Sequence, residues 1–254
     1  MWAVSFQIVL GPVVRVDEID STNAELLRRA AAGAPAGMVL VARHQTAGRG
    51  RLDRSWEAPA GASLLTSVLL RPGIEAADLH LVTAAAGLAA VRACEHEGAT
   101  GVSLKWPNDV VVDDGDETRK LAGLLAESTV EGGRVAAVVV GMGLNANWST
   151  PVPAGGISLG ALLGRTVDID HLLEQWIEGF DERLDALEGS AGPAQLRAEH
   201  RARCSTVGRA VRVETTHGVV TGVAEAIDDR GRLVVDGQAF SVGDVIHVRP
   251  VSGT

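Results

Sequence analysis

The stretch from Val102 to Asn145 constrains this chain most, because β-rich runs follow one another there with only short turn signals between them. Strands joined by tight turns pair antiparallel, since a parallel partner needs a crossover of a dozen residues or more. Asp113 to Asp116 and Glu131-Gly132-Gly133 supply the turn chemistry. The segment therefore predicts at least three strands of a largely antiparallel sheet, and the rest of the chain must supply what covers it.

Val13 to Ile19 reads as a strand, followed by Thr22 and Glu25 at capping-box spacing, which open a helix running to Gly33. Met38 to Ala42 and Ser63 to Leu70 are apolar strands separated by about twenty residues rich in Gly, Arg and Pro. A connection that long inside a compact domain is usually functional. Leu79 to Cys94 carries Leu, Val and Ala at helical spacing and ends at Gly98, predicting a mostly buried helix. Leu172, Leu173, Trp176, Ile177, Phe180, Leu184 and Leu187 share one helical stripe, and a further helix spans roughly Pro193 to Arg203. After Gly208 the pattern changes to short strands around Val211, Val219, Leu233 and Val245, broken at His217-Gly218, Asp229 to Gly231 and Asp236-Gly237. The expected organisation is a main domain over residues 1–205 and a small β-barrel over 206–254.

A chain of 254 residues suits one main domain plus an appendix. Its 23 basic residues against 32 acidic ones argue against a general affinity for nucleic acid or acidic membranes. Cys94 and Cys204 have neither C-x-x-C spacing nor a histidine cluster nearby, so no zinc site or disulfide framework is expected, and a reducing cytoplasm fits. The longest apolar run, Val135 to Leu144, is about half the ~20 residues a membrane-crossing helix needs. Met1 to Leu10 lacks basic residues and a cleavage signal, and reads as an entering strand rather than a signal peptide. The seven histidines show no ligand spacing, and His44 has no obvious partner.

The chemistry concentrates in Gln45-Thr46-Ala47-Gly48-Arg49-Gly50-Arg51-Leu52-Asp53-Arg54-Ser55-Trp56. With Arg43, four arginines fall within a dozen residues of an acidic protein. Glycine alternating with arginine lets backbone amides approach a phosphate or carboxylate while guanidinium groups clamp its oxygens. For the G-R-G-R tetrapeptide alone a flexible solvated turn is the favoured reading. Lys105-Trp106-Pro107-Asn108-Asp109 and Lys120-Leu121-Ala122-Gly123 follow between strand-like runs, with Ser21-Thr22-Asn23 upstream and Gly141-Met142-Gly143-Leu144-Asn145 downstream.

In order and spacing these blocks resemble the signature of the biotin–protein ligases, over roughly Asp20 to Asn147 plus the terminal barrel. The resemblance implies an α+β fold of the class II synthetase-like, biotin–lipoate ligase type: a mixed, largely antiparallel sheet with packed helices and an SH3-like C-terminal barrel. It departs from the family's G-R-G-R-x-G-R-x-W at Asp53, which replaces a glycine and tolerates positive φ less well. Ala58 stands where Ser is common before Pro59-x-Gly61, and residues 113–118 form a longer acidic hairpin.

The resemblance implies that biotin and MgATP give biotinyl-5′-AMP and that a lysine of a biotin carboxyl-carrier domain then takes the biotin. Ser21, Thr22, Asn23 and Gln45 would bind the ureido ring, with Gly48, Gly50, Gly123, Gly141 and Gly143 where backbone passes close to ligand. Thr22 as a helix cap is an equally good explanation. Arg49 and Arg51 would hold phosphates and close the loop, and Lys120 would bridge the biotin carboxylate and the α-phosphate. Arg54, Trp56, Asn108 and Asn145 complete the nucleotide side, Arg54 alternatively being a surface ion pair. Asp109 would orient the incoming amine or help hold magnesium, with a turn residue as the rival reading. Trp106 could line the site, although a tryptophan between apolar strands is more often core. No protein-bound structural metal is implied, magnesium arriving with ATP.

A lipoate or octanoate transferase shares the implied fold, but its R-R-x-x-G-G block is not met, Arg28-Arg29 running into alanines. A biotin-responsive repressor would need a DNA-binding domain ahead of Ser21, and about twenty residues are too few, so the short form is expected. A non-enzymatic biotin sensor is the remaining rival, and the assembly is expected to be a monomer or homodimer.

Overall fold

A computed structural model describes residues 11, 13–72, 74–114, 117–153, 155–189, 191–215, 218–241 and 243–247. The expected strand at Met1 to Leu10 lies outside them, as do parts of the turns at 113–116 and 217–218.

The main sheet has seven strands in the order β1-β2-β3-β7-β6-β5-β4. β1 (Val13–Ile19) runs parallel to β2 (Val39–Gln45), the crossover between them being α1 (Thr22–Ala31). Every other neighbour pair is antiparallel: β3 (Ser63–Leu70), β4 (Val102–Lys105), β5 (Asp109–Asp114), β6 (Glu117–Glu131) and β7 (Arg134–Asn145). The β6–β7 turn has Gly132 and Gly133 at φ of 58° and 80°, the left-handed pair that matches strand twist in a tight hairpin. The mixed, largely antiparallel sheet read from residues 102–145 is the observed one.

The sheet is covered on both faces. Helices α2 (Leu79–His96) and α4 (Ile169–Glu188) lie on one, where Leu64, Val68, Val138, Val140, Met142 and Leu144 join Trp176 and Phe180 in the large core. These two rings stack with centroids 5.3 Å apart, and the Trp176 indole N–H finds the Ala86 carbonyl at 3.0 Å. Alanines at 84, 85, 86, 89, 90 and 93 of α2 are buried, permitting the close approach that larger side chains would prevent. By length and composition the Ala76–His96 segment could cross a membrane, but 67% of it is buried inside this fold. A helix not anticipated from the sequence, α3 (Leu159–Leu163), precedes α4, and α5 (Gly192–Arg203) follows it.

On the opposite face α1 packs Leu26 against Leu40, Leu69, Ala137 and Val139. Alternation along β7 puts residues 137, 139, 141 and 143 on that same face. Toward the end of β7 the face continues as Gly141, under Asn23 in the first turn of α1, and Gly143, under Trp56, a floor without side chains of its own.

The second sheet has five strands in the order β11-β10-β9-β8-β12. These are β8 (Ala210–Thr215), β9 (Gly218–Ile227), β10 (Leu233–Val235), β11 (Gln238–Phe240) and β12 (Asp244–His247). Val211, Val213, Ala224, Leu233, Val235 and Val245 form its core, and Trp106 of the main domain is inserted among them at 3% exposure. The Trp106 indole N–H donates to the Gly231 carbonyl at 3.0 Å. Trp106 is therefore core, and it fastens the barrel to the Lys105–Asp109 turn. A second seam joins the backbone of Ser205 to Leu104 at 2.8 Å, covering the outer edge of β4.

Candidate active site

A cavity of about 350 Å³ opens over the glycine floor between α1, the 46–62 connection, the 105–109 turn and the barrel. Its two ends differ in chemistry.

One end is neutral and polar. Ser21, not Thr22, caps α1: the Ser21 hydroxyl accepts from the Ala24 amide at 3.4 Å, with Ser21 in extended conformation. The predicted capping box does not form: with Ser21 as the cap, Ala24 stands where the box needs Glu or Gln, and Glu25 pairs with Arg28 and Arg29. Thr22 is left free for the cavity. Its amide and hydroxyl both donate to Gln45 Oε1, at 2.7 and 3.1 Å. The strand β2, expected to stop at Ala42, runs on to Gln45 and so delivers this side chain. The Ser67 hydroxyl lies 2.6 Å from both Thr22 Oγ1 and Asn23 Oδ1, and with a single proton it donates to one of them at a time. Asn23 donates in turn to the Leu125 carbonyl (3.1 Å) and Glu127 (2.9 Å). Ser21, Thr22, Asn23 and Ser67 are each under 5% exposed, so this network is held in a low-dielectric setting where its geometry is fixed.

The other end is charged. Lys120 Nζ sits 2.7 Å from Asp109 Oδ1 and 5.3 Å from the centroid of the Trp56 ring. A bulge sets its direction. Val110 pairs with Ala122 but Val111 with Lys120, so Leu121 is the extra residue. Residues 120 and 123 of a regular strand would face opposite ways, and the extra residue brings the ammonium over Gly123. A Cβ on Gly123 would lie 3.1 Å from Lys120 Nζ and 3.0 Å from Trp56, and one on Gly143 would strike the indole. The glycines are what let Trp56 lie flat on the sheet.

The arginine loop is a small hairpin. The Trp56 amide donates to the Gly48 carbonyl (2.9 Å) and the Gly50 amide to the Arg54 carbonyl (2.7 Å). Leu52 and Asp53 at its tip have φ of 54° and 57°. Asp53 thus occupies the left-handed conformation that the resemblance associates with glycine, a region Asp visits more readily than most side chains. Each arginine reaches a different element: Arg49 meets Glu127 (2.8 Å), Arg51 donates to Asn108 Oδ1 (3.3 Å), and Arg54 pairs with Asp244 of the barrel. Burial lowers the pKa of Arg51, opposed by Asp244 and Asp109 and assisted by Arg54. Burial likewise lowers that of Lys105, which Asp109 and Asp244 counter. Trp56 Nε1 and Thr66 Oγ1, both lining the cavity, are buried polar atoms without a protein partner.

The structure brings Ser21, Thr22, Asn23, Gln45, Arg49, Gly50, Arg51, Arg54, Trp56, Asn108, Asp109, Lys120, Gly123, Gly141 and Gly143 to one cavity. Gly48 and Asn145 stand behind it. A Cβ on Gly48 would collide with the Trp56 carbonyl, which makes this glycine the closing point of the hairpin. The buried Asn145 amide reaches the Lys120 carbonyl at 3.4 Å and so supports the strand rather than lining the space. His44, expected without a partner, lies 3.0 Å from Glu18. Both cysteines are buried and free, and burial pushes the Cys94 thiol up to about 12. Sequence reading did not single out Thr66, Ser67, Lys105, Glu127 or Asp244 for the site.

A buried neutral pocket running into a cation cluster, on a glycine floor of a mixed sheet, suits a ligand with an uncharged polar head and an anionic end. Residues 15–145 match the family described as Biotin/lipoate A/B protein ligase family, and residues 206–248 match Biotin protein ligase C terminal domain; the chain belongs to the first family and carries the second's domain. It is 39% identical over 249 residues to a Mycobacterium tuberculosis protein named biotin–[acetyl-CoA-carboxylase] ligase, covering 92% of this chain and 88% of the relative. A Paracoccus denitrificans protein of the same name is 36% identical over 87% of this chain and 92% of its own. The biotin protein ligase of Aquifex aeolicus, solved with biotin and ATP, superposes with a TM-score of 0.76 at 25% identity, over 94% of this chain and 99% of that one. Within the family the chain is a biotin protein ligase.

Proposed function

We propose that this chain forms biotinyl-5′-AMP from biotin and MgATP and passes biotin to a lysine of a biotin carboxyl-carrier domain. The convergence of Lys120 and Arg51 on Asp109, at one end of a cavity whose other end is neutral, carries this reading.

Biotin's ureido ring needs both donors and acceptors, which Ser21, Thr22, Asn23 and Gln45 offer at the buried end. Its carboxylate would then point at Lys120. A carboxylate oxygen attacks the α-phosphorus while the bond to the β-phosphate breaks and pyrophosphate leaves. Charge builds on the phosphoryl oxygens, and Lys120 and Arg51 are aimed at where it builds. Lys120 exchanges its Asp109 partner for these anions, and Asp109 is then free beside the reacting group. The acceptor amine attacks the acyl carbon, the bond to AMP breaks, and Asp109 orients the amine and its departing protons. Trp56 offers a face for the adenine, with Arg54, Asn108 and, behind them, Asn145 supporting the nucleotide end.

Magnesium belongs to the nucleotide in this scheme. Among the described residues no three His, Cys, Asp or Glu side chains come together to hold a metal. We take residues 1–205 as the catalytic domain and 206–254 as the barrel, acting in a reducing cytoplasm as a monomer or homodimer. A sensor with the same pocket would bind biotin without turnover.

Labelled biotin, MgATP and a carrier domain provide the test, with the native chain beside Lys120→Ala and Arg51→Ala. Transfer by the native chain that collapses in both variants is the expected result. Biotin binding with no transfer to any carrier domain would overturn the ligase assignment in favour of the sensor.

A further inference from the structure

The three arginines of the loop are tethered to unequal supports. Arg49 and Arg51 reach Glu127 and Asn108, both in or beside the main sheet. The guanidinium of Arg54, next to the left-handed tip at residues 52 and 53, is paired from the other sheet, by Asp244 at the start of β12. The Asp244 side chain is 24% exposed against 66% for Arg54, so the carboxylate is the fixed partner and the guanidinium the captured one. Three things fix the backbone that carries it. Val245 beside it is in the barrel core, Asp244 is in register with Glu214 of β8, and the barrel is bolted to the main domain by Trp106. Asp244 also acts electrostatically on Arg51 and Lys105, so one barrel carboxylate serves three cations at the mouth of the cavity.

We propose that Asp244 is a positioning residue for the ligase reaction: through Arg54 it holds the arginine loop over the cavity, and the barrel thereby sets how long the adenylate is retained. This rests on the ligase reading. A mixed anhydride must survive until the acceptor lysine arrives, so a loop that opens early loses it to solvent. Arg49 and Arg51 are needed at the phosphates, which would release their present partners. Arg54 remains the contact that keeps the loop closed while the other two are occupied. An ion pair with one partner largely exposed supports a change of about fivefold, not of orders of magnitude.

The test follows labelled biotinyl-AMP, formed on the full chain from biotin and MgATP, as it leaves the protein, together with hydrogen exchange at residues 49–54. Asp244→Asn should release the adenylate about fivefold faster and raise exchange in the loop, with biotin affinity in the absence of ATP unchanged. Asp244→Glu should hold both near native, and Asp229→Asn, which removes a barrel carboxylate paired with Arg201, should alter neither. Native release and native loop exchange in Asp244→Asn would overturn the proposal. Should Asp244→Asn also unprotect Val211 and Val213 in the barrel core, Arg54→Ala decides, read as exchange at the loop in the ligand-free chain, where no nucleotide contact contributes: raised exchange supports the clasp and native exchange refutes it. A native chain that makes no adenylate would instead sink the ligase reading, and loop exchange in the ligand-free variants would still judge the clasp.

Discussion

The two ends of the cavity are built on opposite principles. At the neutral end, Thr22, Asn23 and Ser67 are almost wholly buried and linked by direct hydrogen bonds across α1, β2, β3 and β6. At the charged end, Arg51 donates to Asn108, and Lys120, with 35% of its side-chain surface exposed, is held by the Asp109 carboxylate. A buried network is fixed in advance of any ligand, whereas an ion pair near solvent is worth little and is easily traded for a phosphate. We propose that one end recognises and the other reacts.

If that division is right, substitutions at the two ends separate in kinetics. Lys120→Ala should cut adenylate formation by about 10³-fold, an effect on the scale of losing a principal electrostatic stabiliser, while biotin affinity measured without ATP falls far less. Pre-steady-state formation of labelled adenylate beside equilibrium biotin binding reads both quantities. Equal losses in the two would erase the distinction between recognition and reaction.

A pair of glycines offers a second way to break it. A Cβ on Gly141 would sit well inside 3.0 Å of the Asn23 amide oxygen, and that side chain is bonded on every side. Gly141→Ala should cost about 2 kcal/mol of stability, seen in denaturant unfolding, and weaken biotin binding with it. A Cβ on Gly48 collides instead with the Trp56 carbonyl at the root of the loop hairpin. Gly48→Ala should slow adenylation with the unfolding midpoint close to native, because the loop carries little of the core. Matching unfolding losses in the two variants would show the ends to be equally rigid.

Much of this was legible in the sequence because the chemistry-bearing residues come in blocks. Gly48 to Trp56, Lys105 to Asp109 and Lys120 to Gly123 announce themselves by composition, and the hairpin turn at Gly132-Gly133 orders the sheet. The residues that escaped notice lack such neighbours. Thr66 and Ser67 interrupt an otherwise apolar, fully buried strand, and that interruption was the available signal. Glu127 and Asp244 carried none, since their partners are 78 and 190 residues away and only the folded sheets bring them together. The cap falls at Ser21, which is extended, while Thr22 is already the first helical residue and gives its amide and hydroxyl to Gln45, beyond the expected end of β2. Periodicity does not encode that competition.

The barrel seam supplies a pH test of intermediate size. Burial holds the His200 imidazole at about 4, with His80 and Arg201 adding to the effect, against an ordinary value near 6.5. In the folded protein it is neutral where the unfolded chain would be protonated. Its contribution is fully present above pH 6.5 and is lost as pH falls from there toward 4, by up to about 1.4 kcal/mol per pH unit. His200→Gln should flatten the stability profile between pH 6.5 and 4.5, with adenylation at pH 7.5 unchanged. A profile as steep as that of the native chain would assign the acid sensitivity elsewhere.

The smallest effect falls at the neutral end, and it bears most directly on the choice between a cap and a ligand group at Thr22. Ser21 makes the cap hydrogen bond, so Thr22→Val leaves the helix start intact and removes one hydroxyl from between Gln45 and Ser67. Losing a buried hydrogen bond of this kind costs about 1 kcal/mol, equivalent to about fivefold in an equilibrium constant. That loss should fall on the KM for biotin with kcat retained, as expected of a contact made equally in the ground and transition states. The unfolding midpoint should drop by a similar free energy, since Ser67 also loses a partner. A fall in kcat at unchanged KM would place Thr22 with the reacting end and dissolve the boundary between the two.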